Sequence, residues 1–108
     1  MAYRYRQIAT VKYGHFGEYL KIVKQLGEVG RARGWAAARV YTPVAGVGNE
    51  IVTEWDYPDL AAFQKEGEAF LGDGEAFPLF RSSAQHLVEG SVRSELFEDV
   101  LMDFPGSD

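Results

Sequence analysis

The chain has 108 residues and no cysteine, 46% of its residues are hydrophobic, and 16 acidic against 11 basic side chains leave a formal charge of −5. That length suits one domain, 1–108, with a core over about 4–98, and the apolar share excludes disorder. Scattered basic residues exclude the electrostatic footprint of a nucleic-acid partner, and the missing thiols exclude disulfides, thiolate metal sites and thiol nucleophiles, which suits a cytoplasmic protein. No apolar run approaches a membrane span, and the opening Met-Ala-Tyr-Arg-Tyr-Arg lacks the apolar segment of a signal peptide.

The first strand is expected over about Arg4 to Tyr13, with Tyr5, Gln7, Ala9, Val11 and Tyr13 on one face and Arg4, Arg6, Ile8, Thr10 and Lys12 on the other. Gly14 ends it. From His15, apolar Phe16, Tyr19, Leu20, Val23, Leu26 and Val29 recur at helical spacing, with Glu18, Lys21, Lys24 and Glu28 opposite. Gly34 is the expected stop of this helix, and Gly27 and Gly30 within it read as positions accepted for close packing or termination. Two β-rich runs follow, about Trp35 to Thr42 and Glu50 to Asp56, around a loop holding Pro43, Gly46, Gly48 and Asn49. A hairpin symmetric about Gly46 and Val47 sets Arg39 opposite Glu54, Tyr41 opposite Val52 and Ala37 opposite Asp56.

Pro58 suits the first turn of the next helix, with Tyr57 or Asp56 as its cap, Asp59 near its positive end, and Leu60, Phe63, Gly67, Phe70 and Leu71 on one stripe. Gly72-Asp73-Gly74 breaks it, and a shorter helix is expected from about Glu75 to His86, burying Phe77, Phe80 and Ala84. The last strand is expected over about Val88 to Phe97, and residues 103–108 read as a frayed tail. The order is βαββαβ. With right-handed crossovers this makes a ferredoxin-like α+β fold: a four-stranded antiparallel sheet with its helices on one face. The other face, to which Tyr3, Tyr5, Arg39, Tyr41, Val52 and Glu54 are assigned, is too aromatic and apolar to be left in water, so a homodimer pairing two sheets is expected.

Three groups of residues are candidates for chemistry. Arg39 and Glu54 form either a charge clamp that orients a carboxylate or enolate, or a structural ion pair, and Glu95 joins them if the register allows. His15, between a strand and a helix N-terminus, suits a general base because the helix dipole favours a neutral imidazole; the alternative is a capping or exposed histidine. His86 reads as a favourable charge at a helix C-terminus. With two histidines and no matched carboxylates no dedicated metal site is expected, and no cofactor is called for, although one histidine would suffice for haem. Gly46-Val47-Gly48 is a turn rather than a phosphate loop, since no lysine or helix follows directly.

Arg39-Val-Tyr-Thr-Pro, Gly48-Asn-Glu, Glu54-Trp-Asp-Tyr-Pro-Asp-Leu, Leu87-Val-Glu-Gly-Ser and Ser94-Glu-Leu-Phe together resemble the NIPSNAP-like branch of the dimeric α+β barrel proteins, over about Tyr5 to Phe97. The resemblance implies a homodimer of undefined cellular role with a pocket for a small apolar or aromatic molecule between sheet and helices. Tyr13, Trp55, Phe77, Phe80 and Arg81 would line that pocket, unless the aromatics simply fill the core. Relatives by fold also include cofactor-independent monooxygenases and isomerases or cyclases, in which His15 would be the base and Arg39 or Arg81 would stabilise an anion derived from an aromatic or polyketide-like substrate. A third reading is a non-catalytic protein-interaction module. No motif names a reaction.

Overall fold

In the computed structural model, which describes residues 2–100, the elements follow in the order β1 (Tyr3–Thr10), α1 (Phe16–Arg33), β2 (Arg39–Tyr41), β3 (Glu50–Tyr57), α2 (Leu60–Gly72), α3 (Ala76–Ser83) and β4 (Arg93–Glu98). A 3-10 turn, Ala84–His86, extends α3. The strands form one antiparallel sheet in the order β2-β3-β1-β4, the ferredoxin-like arrangement. The expected tail at 103–108 lies outside the described residues. Among the described residues no helix is long and apolar enough to cross a membrane.

Local chemistry sets the element ends. Gly34 adopts φ +75, a left-handed conformation open to glycine, and closes α1 while the Trp35 N–H donates to the Gly30 carbonyl at 2.9 Å. That bond, and the Ala36 N–H donating to Glu66 at 2.6 Å, draw residues 35–36 away from the sheet. The second strand is therefore three residues long rather than eight, and Ala37 does not pair with Asp56. The hairpin register is otherwise as expected, with Arg39 opposite Glu54 and Tyr41 opposite Val52.

The cap of α2 is Asp59, whose side chain accepts from the Ala62 N–H at 2.7 Å; Tyr57 ends β3 instead, and Asp56 belongs to an ion network. The last strand starts five residues later than expected. Gly90 turns the chain at φ +77, and the Ser91 hydroxyl accepts the Thr10 N–H in place of a ladder carbonyl. The core joins Ala9 and Val11 of the first strand and its extension to Ile51 of β3 and Tyr19 of α1, with Phe16, Val23 and Leu87 packed around them. Leu20, Leu60 and Leu71, assigned to buried helical stripes, are exposed.

Tyr5 packs against Trp55 and against Phe63 of α2, so it and Tyr3, two residues away along the strand, lie on the helix side. The open face instead carries Arg4, Arg6 and Ile8 from β1. Gly27 has no atom within 4 Å of where a Cβ would stand, so close packing does not explain it.

Candidate functional site

Strand alternation places three guanidinium groups and three carboxylates side by side on the open face. The antiparallel register sets Arg4 beside Asp56 and Arg6 between Glu54 and Glu95. Arg6 Nε donates to Glu54 Oε2 at 2.7 Å, Arg39 Nη1 to Asp56 Oδ2 at 2.8 Å and Arg4 Nε to Asp56 Oδ1 at 3.1 Å. Longer contacts close the network: Arg39 Nη2 to Glu54 at 3.8 Å, Arg4 to Glu54 at 3.9 Å and Arg6 to Glu95 at 3.8 Å. Arg39 and Glu54 thus meet, but the short bond of Arg39 runs diagonally to Asp56. Glu95 enters through Arg6 rather than through Arg39.

Glu54 is only 7% exposed, an unusual burial for a carboxylate that three positive groups offset. Arg39, followed by Arg4, holds the Asp56 carboxyl below the usual carboxylate range against its partial desolvation. The same contact with Asp56, then Tyr41, makes the Arg39 guanidinium more basic. Arg39 Nη2 is buried without a hydrogen-bond partner, held only by the 3.8 Å approach to Glu54. The Arg6 guanidinium also lies 5.0 Å from the Phe97 ring centre, a cation–π contact.

Beside this network lies a shallow depression of about 400 Å³. Ile8, Val52 and Tyr41 line it together with Arg6 and Arg93 and the carboxylates Glu50, Glu54 and Glu95. Among the described residues Arg93 makes no hydrogen bond or ion pair, and it shares the lining with the carboxylates of Glu50, Glu54 and Glu95.

The other expected site residues lie elsewhere. Trp55 stacks on Tyr5 with ring centres 5.5 Å apart, and Phe77 and Phe80 pack around Phe70 at 6.0 and 5.4 Å. Arg81 is exposed and Tyr13 is 84% exposed. These five side chains are therefore not gathered into one site; the aromatics fill two separate clusters on the helix side. Glu66 ties those clusters to the sheet, accepting from the Tyr57 hydroxyl and from the Ala36 N–H. Burial, and then Glu66, push the Tyr57 phenol well up.

His15 is the N-cap residue of α1 and makes no side-chain capping bond. Its Nδ1 stands 3.0 Å from Nδ1 of His86. Among the described residues no hydrogen bond or ion pair joins it to Arg39 or Glu54, so the expected catalytic trio divides between the histidine pair and the open face.

Hairpin alternation puts Asp56 on the face of Arg39 and Glu54, whereas Arg4 and Arg6 were assigned to the opposite face and join the network because Tyr5 turns to the helices. The pairing of His15 with His86, 71 positions apart, has no local signal.

No family model matches the chain, and no curated protein matches it. Solved structures do. An uncharacterised NIPSNAP domain protein from Burkholderia xenovorans is 20% identical over 94% of this chain and 97% of its own, with a TM-score of 0.76. A NIPSNAP family protein from Agrobacterium tumefaciens is 14% identical over 94% and 95%, also at 0.76. An antibiotic biosynthesis monooxygenase is 15% identical over 91% and 98%, at 0.71. At such identities the likeness establishes a NIPSNAP-like fold, and a fold leaves the chemistry open.

Proposed function

We propose that this chain is a single-domain, cytoplasmic NIPSNAP-like protein that works as a homodimer and binds a small molecule. Two copies lay their open sheet faces together, closing an α+β barrel, and the two depressions meet there as one enclosed chamber. The observation that carries this reading is the make-up of the open face: Val52, Tyr41 and Phe97, the last two 47% and 44% exposed, flank a network of three guanidiniums and three carboxylates with no net charge. An apolar and internally neutralised surface suits burial by an identical surface better than exposure to water. The cysteine-free composition suits the cytoplasm.

The lining supports one class of ligand. Val52 and Tyr41, over the buried Ile8, offer apolar contact, and Arg6, Arg93, Glu50, Glu54 and Glu95 offer polar groups around it. A compact aromatic molecule bearing an anionic substituent matches both, with Arg93 as the counter-charge. The test is a methyl-detected NMR screen of small aromatic acids. Hits should shift the Ile8 and Val52 methyl signals and lose affinity in Arg93→Ala. Aromatic acids that leave those methyls unmoved would contradict the reading.

Cofactor-free oxygenase or isomerase chemistry is the second reading, favoured by the fold shared with the antibiotic biosynthesis monooxygenase. For this chain it assigns His15 as the base and Arg39 or Arg81 to stabilising the anion, with Glu54 orienting Arg39. The aromatic filling of the helix side supports the third, a non-catalytic interaction module, because Trp55, Phe77 and Phe80 are engaged with neighbouring rings.

A further inference from the structure

The pairing of His15 with His86 has no part in the open-face site, and it brings together the chain's two histidines. We propose that these two residues form a binding site for a divalent transition metal of the copper(II) type, with two imidazole nitrogens in adjacent coordination positions and water in the rest. The inference stands independently of the dimer and of any ligand on the open face.

Three observations carry it. The first is the 3.0 Å separation of the Nδ1 atoms. That is the length of an N–H···N hydrogen bond, and it falls within the roughly 2.9–3.4 Å that separates two nitrogens on one cation with bonds of about 2.05 Å. Copper(II) heads the affinity order for imidazole donors and takes two of them in adjacent positions.

The second is backbone anchoring. Lys12 donates its N–H to the His86 carbonyl at 2.9 Å, and its own carbonyl accepts the His15 N–H at 3.0 Å. Leu87, next to His86, bridges to Val11. The backbones of both histidines are thereby fixed to one residue of the core's edge, so binding has only the two side chains to order.

The third is that, among the described residues, each Nδ1 atom has only the other as a hydrogen-bond partner, with no carboxylate or backbone group engaging either one. The ring centres are 5.3 Å apart, so the nitrogens face one another nearly head-on around a shared proton. Metal binding moves that proton to the donor ring's Nε2 by exchange with water and swings each ring by about 40°, after which both lone pairs face the cation. Both residues are half-buried, which leaves them an open side for that swing and for water ligands. Among the described residues no group of three or more metal-ligating side chains is assembled, and the site comprises the two imidazoles.

The experiment is titration of the untagged full chain with copper(II) alone, in glycine as a weak competitor, read by calorimetry and electron paramagnetic resonance. One copper per chain should bind, with spin-echo modulation from the remote nitrogens of two imidazoles. His15→Ala and His86→Ala should each weaken binding at least about tenfold and remove one imidazole from the spectrum. Unchanged affinity in either variant, or no copper retained against glycine, would overturn the proposal. If a variant fails to fold, the wild-type spectrum decides: two coupled imidazoles support the site, and one or none refutes it.

Discussion

The contact between Arg6 and Glu54 gives the most exacting test of the open-face network. Two unit charges about 4 Å apart attract by about 4 kcal/mol at the effective dielectric of a protein surface. Glu54 is nearly buried, but the Arg6 side chain is 35% exposed, so water and salt screen part of that attraction. Neighbours cushion the loss further. Without Arg6, Glu54 keeps Arg39 at 3.8 Å and Arg4 at 3.9 Å; without Glu54, Arg6 keeps Glu95 at 3.8 Å. A double-mutant cycle of Arg6→Gln and Glu54→Gln should therefore give a coupling of about 1–2 kcal/mol. Glu54→Gln alone leaves three guanidiniums against two carboxylates and should also loosen self-association. Urea unfolding of the four proteins at one fixed protein concentration measures the cycle. Additive losses would show that the two groups do not interact and would refute the network.

Gly27 stands in the middle of α1 with open space around its missing Cβ, so Gly27→Ala should stabilise the protein by about 0.5–1 kcal/mol in chemical denaturation, and a loss of stability would mean that something covers this helix face. Asp73 is held down to about 2, first by Arg33 at 2.8 Å and then by the N–H groups of Ala76 and Glu75. A carboxyl whose pKa is depressed by folding contributes stability above its unfolded value of 3.8 and loses it as pH falls through about 2. The melting-temperature gap between wild type and Asp73→Asn should accordingly be constant near neutrality and shrink below about pH 4; a gap independent of pH would exclude the charge of Asp73 as its source.

Sequence periodicity carried the architecture because each element here follows a local rule. Alternation along β1 and β3, the helical stripe from Phe16 to Val29 and the positive-φ Gly34 are all short-range signals. The shortened β2 was not legible, since its start is decided by Glu66, thirty residues away, which takes the Ala36 N–H from the sheet. Alternation also separates Tyr5 from Arg6, but composition alone does not say which side faces the helices. Phe63 decides that by packing on Tyr5. The site was half legible for the same reason. Arg39 and Glu54 meet through hairpin register, while Arg6 and Glu95 join only when β1 and β4 close the sheet, and His15 finds His86 only through the pairing of Val11 with Leu87.

The central claim is that a second copy covers the open sheet face, and solution mass tests it directly. Size-exclusion chromatography with light scattering at micromolar concentration should return twice the 12.1 kDa chain mass. Replacing Tyr41, 47% exposed on that face, by Glu should shift the mass toward one chain while circular dichroism still reports a folded protein. A wild-type mass of 12.1 kDa across the micromolar range would contradict the account.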